Sequence, residues 1–140
     1  MRPTEVFVDT ACVVALVSDR DELHEPATGL FEDTRSRARL VTTRAVCFEI
    51  GSFFKKPHQR KIVAELIQRL EDAPDVDIVP ISDDVFHRAL RLYGNRPDKT
   101  WSLTDCSSFV VMQERGITQA LTSDHHFRQA GFVPLMSSEN

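Results

Sequence analysis

The chain has no long hydrophobic run. Its most extended apolar stretches, Ala11 to Val17 and Phe109 to Met112, are a handful of residues, against the roughly 20 that a helix needs to cross a bilayer. No membrane role is expected. The N-terminus reaches Glu5 with no basic region leading into a long apolar stretch, which argues against a secretory leader. Glycine and proline are few, at 5 and 7 residues, and this excludes collagen-like and low-complexity chains. Cysteine is scarce too. Cys12, Cys47 and Cys106 are odd in number, widely spaced and set among apolar residues, with no C-x-x-C pair. Reduced thiols buried as small hydrophobes in a cytoplasmic protein are expected, not a zinc or redox site. An excess of positive charge is also missing. The net charge of −4 argues against binding nucleic acid by bulk electrostatics.

What is present fits one globular domain spanning residues 1–140. A chain of 140 residues, 41% hydrophobic and 27% charged, buries about two-thirds of its unfolded surface without needing a disulfide. No internal repeat or linker divides it. Charge is unevenly spread. Residues 34–61 hold eight bases (Arg35, Arg37, Arg39, Arg44, Lys55, Lys56, Arg60 and Lys61) and one acid, Glu49. Residues 70–84 hold six acids and no base. A basic block inside an acidic protein suits phosphates or an acidic partner, or is simply a set of solvated faces.

Hydrophobic periodicity gives the elements. Val6-Phe7-Val8 reads as a strand, and Thr10 to Val17 as a helix. A second helix is expected over about 25–37, a short strand at Leu40-Val41, and a helix capped by Thr43 running to about Lys56. Pro57 suits the first turn of the next helix, whose Ile62, Val63, Leu66, Ile67 and Leu70 recur at 3.6-residue spacing. Val76 to Ile81 reads as a strand. Ser82 caps a helix with Val85, Phe86, Ala89, Leu90 and Tyr93 toward the core, and a loop is expected at Gly94, Asn95 and Pro97. A helix from Ser102 to Arg115 stops at Gly116. Ala120 to Thr122, a short helix from His125, and a last edge strand at Phe132 to Leu135 complete the chain. This alternation predicts an α/β fold with a mainly parallel sheet. Sites in such sheets lie beyond the carboxyl ends of the strands.

Four acids stand out against that frame. Asp9 and Asp124 each follow a strand. Asp105 opens a helix, and Glu49 lies mid-helix among Val46, Ile50, Phe53 and Phe54. Three have ordinary explanations: Asp9 and Asp124 as helix caps, and Asp105 as the acid of a capping box begun by Ser102. Glu49 is different, because a carboxylate in apolar surroundings is costly unless it is paired or bound to a cation. A salt bridge to Arg44 or Lys56 is one answer. Convergence of all four acids is another. Clustered carboxylates need a cation, and carboxylates plus water suit Mg²⁺ or Mn²⁺. Such an ion activates water and neutralises charge on a phosphodiester. Thr10, Thr104 and Ser123 flank the acids as supporting hydrogen-bond donors, or as helix caps.

The ordered set resembles the PIN-domain ribonucleases, and within them the VapC-like toxins of toxin–antitoxin pairs. The resemblance runs from Val6-Phe7-Val8-Asp9-Thr10 through Glu49 to Trp101-Ser102-Leu103-Thr104-Asp105 and Ala120-Leu121-Thr122-Ser123-Asp124-His125-His126-Phe127. It implies a three-layer α/β/α fold around a short sheet. It assigns Asp9, Glu49, Asp105 and Asp124 to a catalytic metal site for Mg²⁺ or Mn²⁺, with cleavage of single-stranded or loop RNA. It also implies an antitoxin protein partner and a homodimer. A catalytically silent RNA- or partner-binding module is the alternative.

Other residues carry weaker expectations. Arg44, Lys55 and Lys56 are candidates for holding RNA phosphates. Trp101 either stacks on a base or covers the core. Asp98 is an auxiliary ligand or, between Pro97 and Lys99, a loop residue. His125-His126 makes a poor paired ligand, since adjacent helical residues point apart. An aspartate-nucleophile phosphatase would carry a second acid at position 11, where Ala11 stands. A receiver domain would carry an acid pair beside Asp9, and none is present.

Overall fold

The computed structural model describes residues 4–137, so the outermost ends of the expected 1–140 domain lie outside the described residues. In chain order the elements are β1 (Glu5–Val8), α1 (Thr10–Val17), α2 (His24–Arg37), β2 (Arg39–Thr43), α3 (Arg44–Phe53) and α4 (Pro57–Asp72). They continue with β3 (Val76–Val79), α5 (Asp83–Asn95), α6 (Leu103–Arg115), β4 (Gln119–Leu121), α7 (His125–Gln129) and β5 (Val133–Pro134). The five strands form one sheet in the order β3-β2-β1-β4-β5. Every pairing is parallel, as the βα alternation implied.

This order fixes where a site can form. From β1 the chain steps outward to β2 and β3, then returns to the other side of β1 for β4 and β5. The strand order therefore reverses between β1 and β4, and a crevice opens at their carboxyl ends. Register sets Val8 opposite Leu121, so the residues just after both strands emerge together.

The core gathers on β1, β2, β4 and α6. Phe7, Leu40, Leu121, Phe109, Met112 and Phe127 are fully buried. Phe109 and Phe127 meet edge to face with centroids 5.1 Å apart, a geometry that adds to plain area burial. Capping follows the sequence closely. The hydroxyls of Thr43, Ser82 and Ser102 each accept the backbone N–H three residues on. Gly116 ends α6 at φ 69°, a conformation glycine adopts without a Cβ penalty.

The structure moves several expected boundaries, and prolines explain most of them. α3 stops at Phe53, short of Lys56. Pro57 forces the residue before it out of the helical region, and Lys56 is extended at ψ 144°. α5 continues through Gly94 and Asn95, which had been expected in a loop, and stops where Pro97 constrains Arg96. β3 ends at Val79, before Pro80 and Ile81, because proline has no N–H to extend the ladder.

One apolar stripe is narrower than expected. Phe86, Leu90 and Tyr93, expected to face the core, are exposed, as is Ile62 on α4. The inward row of α5 is Val85 and Ala89, with Leu92 partly buried. Val85 and Ala89 are thus buried as expected, and only the outer part of the expected face, Phe86, Leu90 and Tyr93, is left uncovered. α5 meets its neighbour α6 along this narrow row, so the outer apolar residues stay on the surface.

Charge asymmetry resolves into pairing. Arg35 chelates Asp75 through two bonds of 2.8 and 2.9 Å, and Arg44 binds the Glu71 carboxylate. The basic block is thus partly neutralised by the acidic stretch that follows it. Among the described residues, Lys55, Lys56, Arg60 and Lys61 make no ion pair.

Candidate active site

Asp9 follows the last residue of β1, and its own N–H donates to the Leu121 carbonyl of β4 at 3.2 Å. It is the N-cap residue of α1, yet its side chain makes no capping bond. The cap expected of Asp9 is therefore absent. Its Oδ2 instead accepts the hydroxyl of Thr122, from the end of β4, at 2.7 Å. The Thr122 oxygen in turn accepts the Asp124 N–H at 3.0 Å. Asp124 caps α7 as expected, taking the His126 N–H on Oδ1 at 2.9 Å. One buried threonine thus ties the two strand-end acids together.

Glu49 reaches the same place from α3. Its carboxylate accepts the hydroxyl of Thr10, the first residue of α1. The salt bridge to Arg44 or Lys56 is not what the structure contains, since Arg44 is bound to Glu71. A pocket of about 400 Å³ is lined by Asp9, Thr10, Glu49, Ser123 and Asp124, together with Asp21, Leu23 and Phe53. Asp21 was not singled out from sequence. It belongs to the loop after α1, where its Oδ1 accepts the Leu23 N–H at 2.9 Å.

Asp105 serves two purposes. Its Oδ2 accepts the Ser102 N–H at 3.0 Å while its own N–H donates to the Ser102 hydroxyl at 2.9 Å. The capping box is real and uses aspartate in place of the usual longer acid. The same Oδ2 lies 3.1 Å from Nδ1 of His126, which is also 3.2 Å from Asp124 Oδ1. Asp105 is not among the residues lining the pocket, but His126 joins it to Asp124. Nε2 of that ring lies 3.1 Å from the Thr100 hydroxyl. Asp124, His125 and His126 also bring one ligand atom each within 4.8 Å of one another, despite the divergence expected of adjacent helical residues.

Burial and mutual repulsion decide the electrostatics. Asp9, only 4% exposed, has its pKa pushed up to about 7. Loss of hydration is the main cause, and the charges of Asp105 and Glu49 add to it. The Thr122 hydroxyl and the Thr10 backbone N–H oppose the rise. Asp105 is raised too, first by burial and then by Asp124, against the Ser102 N–H and His126. Two of the four acids thus pay for being together. Hard oxygen donors with repelling charges are the donor set a divalent cation takes, so the residues fit such an ion.

The remaining candidates separate cleanly. Thr10 and Ser123 belong to the pocket. Thr104 contributes its carbonyl, which accepts the hydroxyls of Ser107 and Ser108. Lys55 and Lys56 are exposed just beyond α3. Trp101 is buried, donates through Nε1 to Gln129 at 2.9 Å and packs edge-on against Phe109. It covers the core, and its faces are not open to a base. Asp98 is held by Arg96 through two bonds of 3.0 and 3.1 Å, as a loop residue. All three cysteines are free thiols. Burial, with Asp9 nearby, pushes Cys12 up to about 12, so it is an unreactive thiol.

Comparison with known proteins agrees with this geometry. A family model described as "PIN domain" matches residues 6–133. The 23S rRNA-specific endonuclease VapC20 of Mycobacterium tuberculosis (strain H37Rv) is 28% identical over 129 residues, covering 91% of this chain and 95% of the relative. The crystal structure of Mycobacterium tuberculosis VapC20, a sarcin–ricin loop cleaving toxin, superposes with a TM-score of 0.81 at 25% identity. That match covers 91% of this chain and 96% of the other. FitAcB from Neisseria gonorrhoeae shares the fold, with a TM-score of 0.64, 15% identity, and 92% and 94% coverage.

Proposed function

The chain belongs to the PIN-domain family, and from that premise we propose that it is a divalent-metal-dependent endoribonuclease, the toxin of a toxin–antitoxin pair. One observation carries this reading. Acids from four separate stretches meet at the β1–β4 switch point, where Asp9, Glu49 and Asp124 line one pocket and His126 links Asp105 to Asp124.

Mg²⁺ or Mn²⁺ is the ion proposed, with Asp9, Glu49, Asp105 and Asp124 as its holders. When bound, the ion supplies a more acidic water and neutralises phosphate charge. The chain's own residues do the rest. Thr122 and Thr10 fix the carboxylates of Asp9 and Glu49 by hydrogen bonds. The least hindered acids are left to orient the attacking water. Lys55 and Lys56, exposed just beyond α3 and free of ion pairs among the described residues, hold the RNA backbone. Arg44 is withdrawn from that role by Glu71. Single-stranded or loop RNA is the proposed substrate class, supported by the likeness to a sarcin–ricin loop cleaving toxin. An antitoxin chain covering the pocket and a second copy of this chain are the proposed protein partners.

The test is cleavage of end-labelled RNA with Mn²⁺ by the wild type beside Asp9→Asn, with the new ends sequenced. Cleavage by the wild type alone, leaving 5′-phosphate and 3′-hydroxyl ends, supports the proposal. Equal cleavage by both proteins would sink it. No cleavage, with RNA still bound, would leave a silent binding module.

A further inference from the structure

We propose that a second cavity beside the acidic pocket, lined by Arg20, Lys56 and His58, is a phosphate subsite for the RNA strand flanking the cut, with Phe53 between the two as the platform for a base. This rests on the nuclease reading above and assigns where the rest of the substrate lies.

The two cavities are neighbours. Asp21 and Phe53 line the acidic pocket, whereas Arg20 and Lys56 line a cavity of about 570 Å³. Arg20 and Asp21 are consecutive, and Lys56 follows Phe53 by three residues, a reach of at most about 11 Å. The α1–α2 loop and the α3–α4 turn therefore each contribute to both cavities.

The second cavity suits an anion. Arg20 and Lys56 come from different parts of the chain and make no ion pair among the described residues. Lys56 is also the N-cap residue of α4 and makes no side-chain capping bond, since an ammonium has no acceptor to offer. The N–H groups of His58 and Gln59, both on the cavity wall, thus lack a capping oxygen and add the positive end of a 16-residue helix. Asp19 is the one acid on that wall. The unpaired Lys55, Arg60 and Lys61 nearby outweigh it.

The loop that carries Arg20 is already held in shape. The Asp21 N–H donates to the Ser18 carbonyl at 3.1 Å, and the His24 N–H to the Asp21 carbonyl at 2.9 Å. Nδ1 of His24 lies 2.8 Å from the Ala15 carbonyl. Little backbone freedom is lost when this loop meets a ligand.

Phe53 favours nucleic acid over an acidic protein as the occupant. It is 61% exposed although it lines the acidic pocket, and the buried Phe54 braces it edge to face at 5.0 Å. Single strands are held by aromatic rings that stack on bases and by cations that track the backbone. Here the two kinds of group alternate beside the pocket that takes the phosphodiester.

The experiment uses the whole protein carrying Asp9→Asn and a single-stranded RNA oligonucleotide. Affinity is measured against salt, and backbone amide signals are followed by NMR. Adding RNA should shift the His58 and Gln59 amides. Arg20→Ala should lower the slope of log affinity against log salt by about 0.7, whereas Arg91→Ala, an exposed arginine on α5, should leave it unchanged. Phe53→Ala should weaken binding about tenfold at an unchanged slope, and Phe53→Trp should restore it. RNA binding that leaves both amides unmoved, or a slope that falls equally with Arg20→Ala and Arg91→Ala, would overturn the subsite and leave the nuclease reading intact. Amides that respond to polyglutamate and not to RNA would give the cavity to an acidic protein and overturn it too. Failure of every form to bind RNA, with no cleavage by the wild type, would overturn both readings.

Discussion

The hydroxyl of Thr122 donates to Oδ2 of Asp9 across the ends of two neighbouring parallel strands, at 2.7 Å. Both residues are buried, so no water replaces that bond if it is lost. Asp9 is held in a pocket that raises its pKa to about 7, and Thr122 is the largest influence opposing the rise.

Thr122→Val keeps the shape and removes the donor. A hydrogen bond to a charged group contributes about 1.5–3 kcal/mol, and this one serves mainly the ionised form of Asp9. The variant should lose about that much stability at pH 8 and less at pH 5, where Asp9 is protonated. Metal-free urea denaturation at the two pH values measures it. An equal loss at both would show that the bond does not favour the carboxylate.

Asp9 itself makes the metal-free protein sensitive to pH. Its folded pKa lies near 7 against an ordinary value of 3.8, so between these values the folded state binds more protons than the unfolded one. Stability then falls as pH rises through that window, by up to about 1.4 kcal/mol per pH unit. Asp9→Asn should flatten this slope, stabilise the metal-free protein near pH 8, and abolish RNA cleavage. Metal should erase the wild-type slope, because the ion favours the carboxylate. A wild-type stability that does not fall from pH 5 to 8 would contradict the buried, repelling environment.

Much of this was legible in the sequence because local chemistry wrote it there. Thr43, Ser82 and Ser102 cap the helices their positions implied, and alternating strands and helices gave the parallel sheet. Chain order also marked the four acids. The partners of those acids were not legible. Thr122 meets Asp9 only because β1 and β4 pair in the register Val8 to Leu121, and spacing along the chain does not encode that. The Thr10 bond to Glu49 depends likewise on how α3 crosses the start of α1. The contacts of His126 with Asp105 and Asp124 depend in the same way on how α7 meets the start of α6. On α5 the expected face holds at Val85 and Ala89 but is too wide at Phe86, Leu90 and Tyr93, because an amphipathic face has no sequence signal for how much of it a neighbour covers.

Gly116 offers a test of the fold apart from chemistry. Its φ of 69° is left-handed, and nothing lies within 4 Å of where a Cβ would sit. The backbone alone therefore sets the effect. Gly116→Ala should cost about 1 kcal/mol, and Gly116→Asn less, since asparagine tolerates this conformation. Denaturant midpoints would check the order. An alanine variant as stable as the wild type would mean that α6 does not end in this turn.

The two lysines beyond α3 and the arginine at its start should behave differently toward RNA. Lys55 and Lys56 make no ion pair among the described residues, whereas Arg44 is engaged with Glu71 on a half-exposed surface. Each phosphate contact on a single strand contributes about 0.7 to the slope of log affinity against log salt. The double variant Lys55→Ala/Lys56→Ala should lower that slope by about 1.4 and weaken binding to all sequences alike. Arg44→Ala should leave the slope unchanged and change stability little, since solvent and salt screen an exposed pair. Binding would be measured on the Asp9→Asn background, so that RNA is not consumed. A slope that falls with Arg44→Ala and holds in the lysine double variant would move the RNA path from the end of α3 to its beginning.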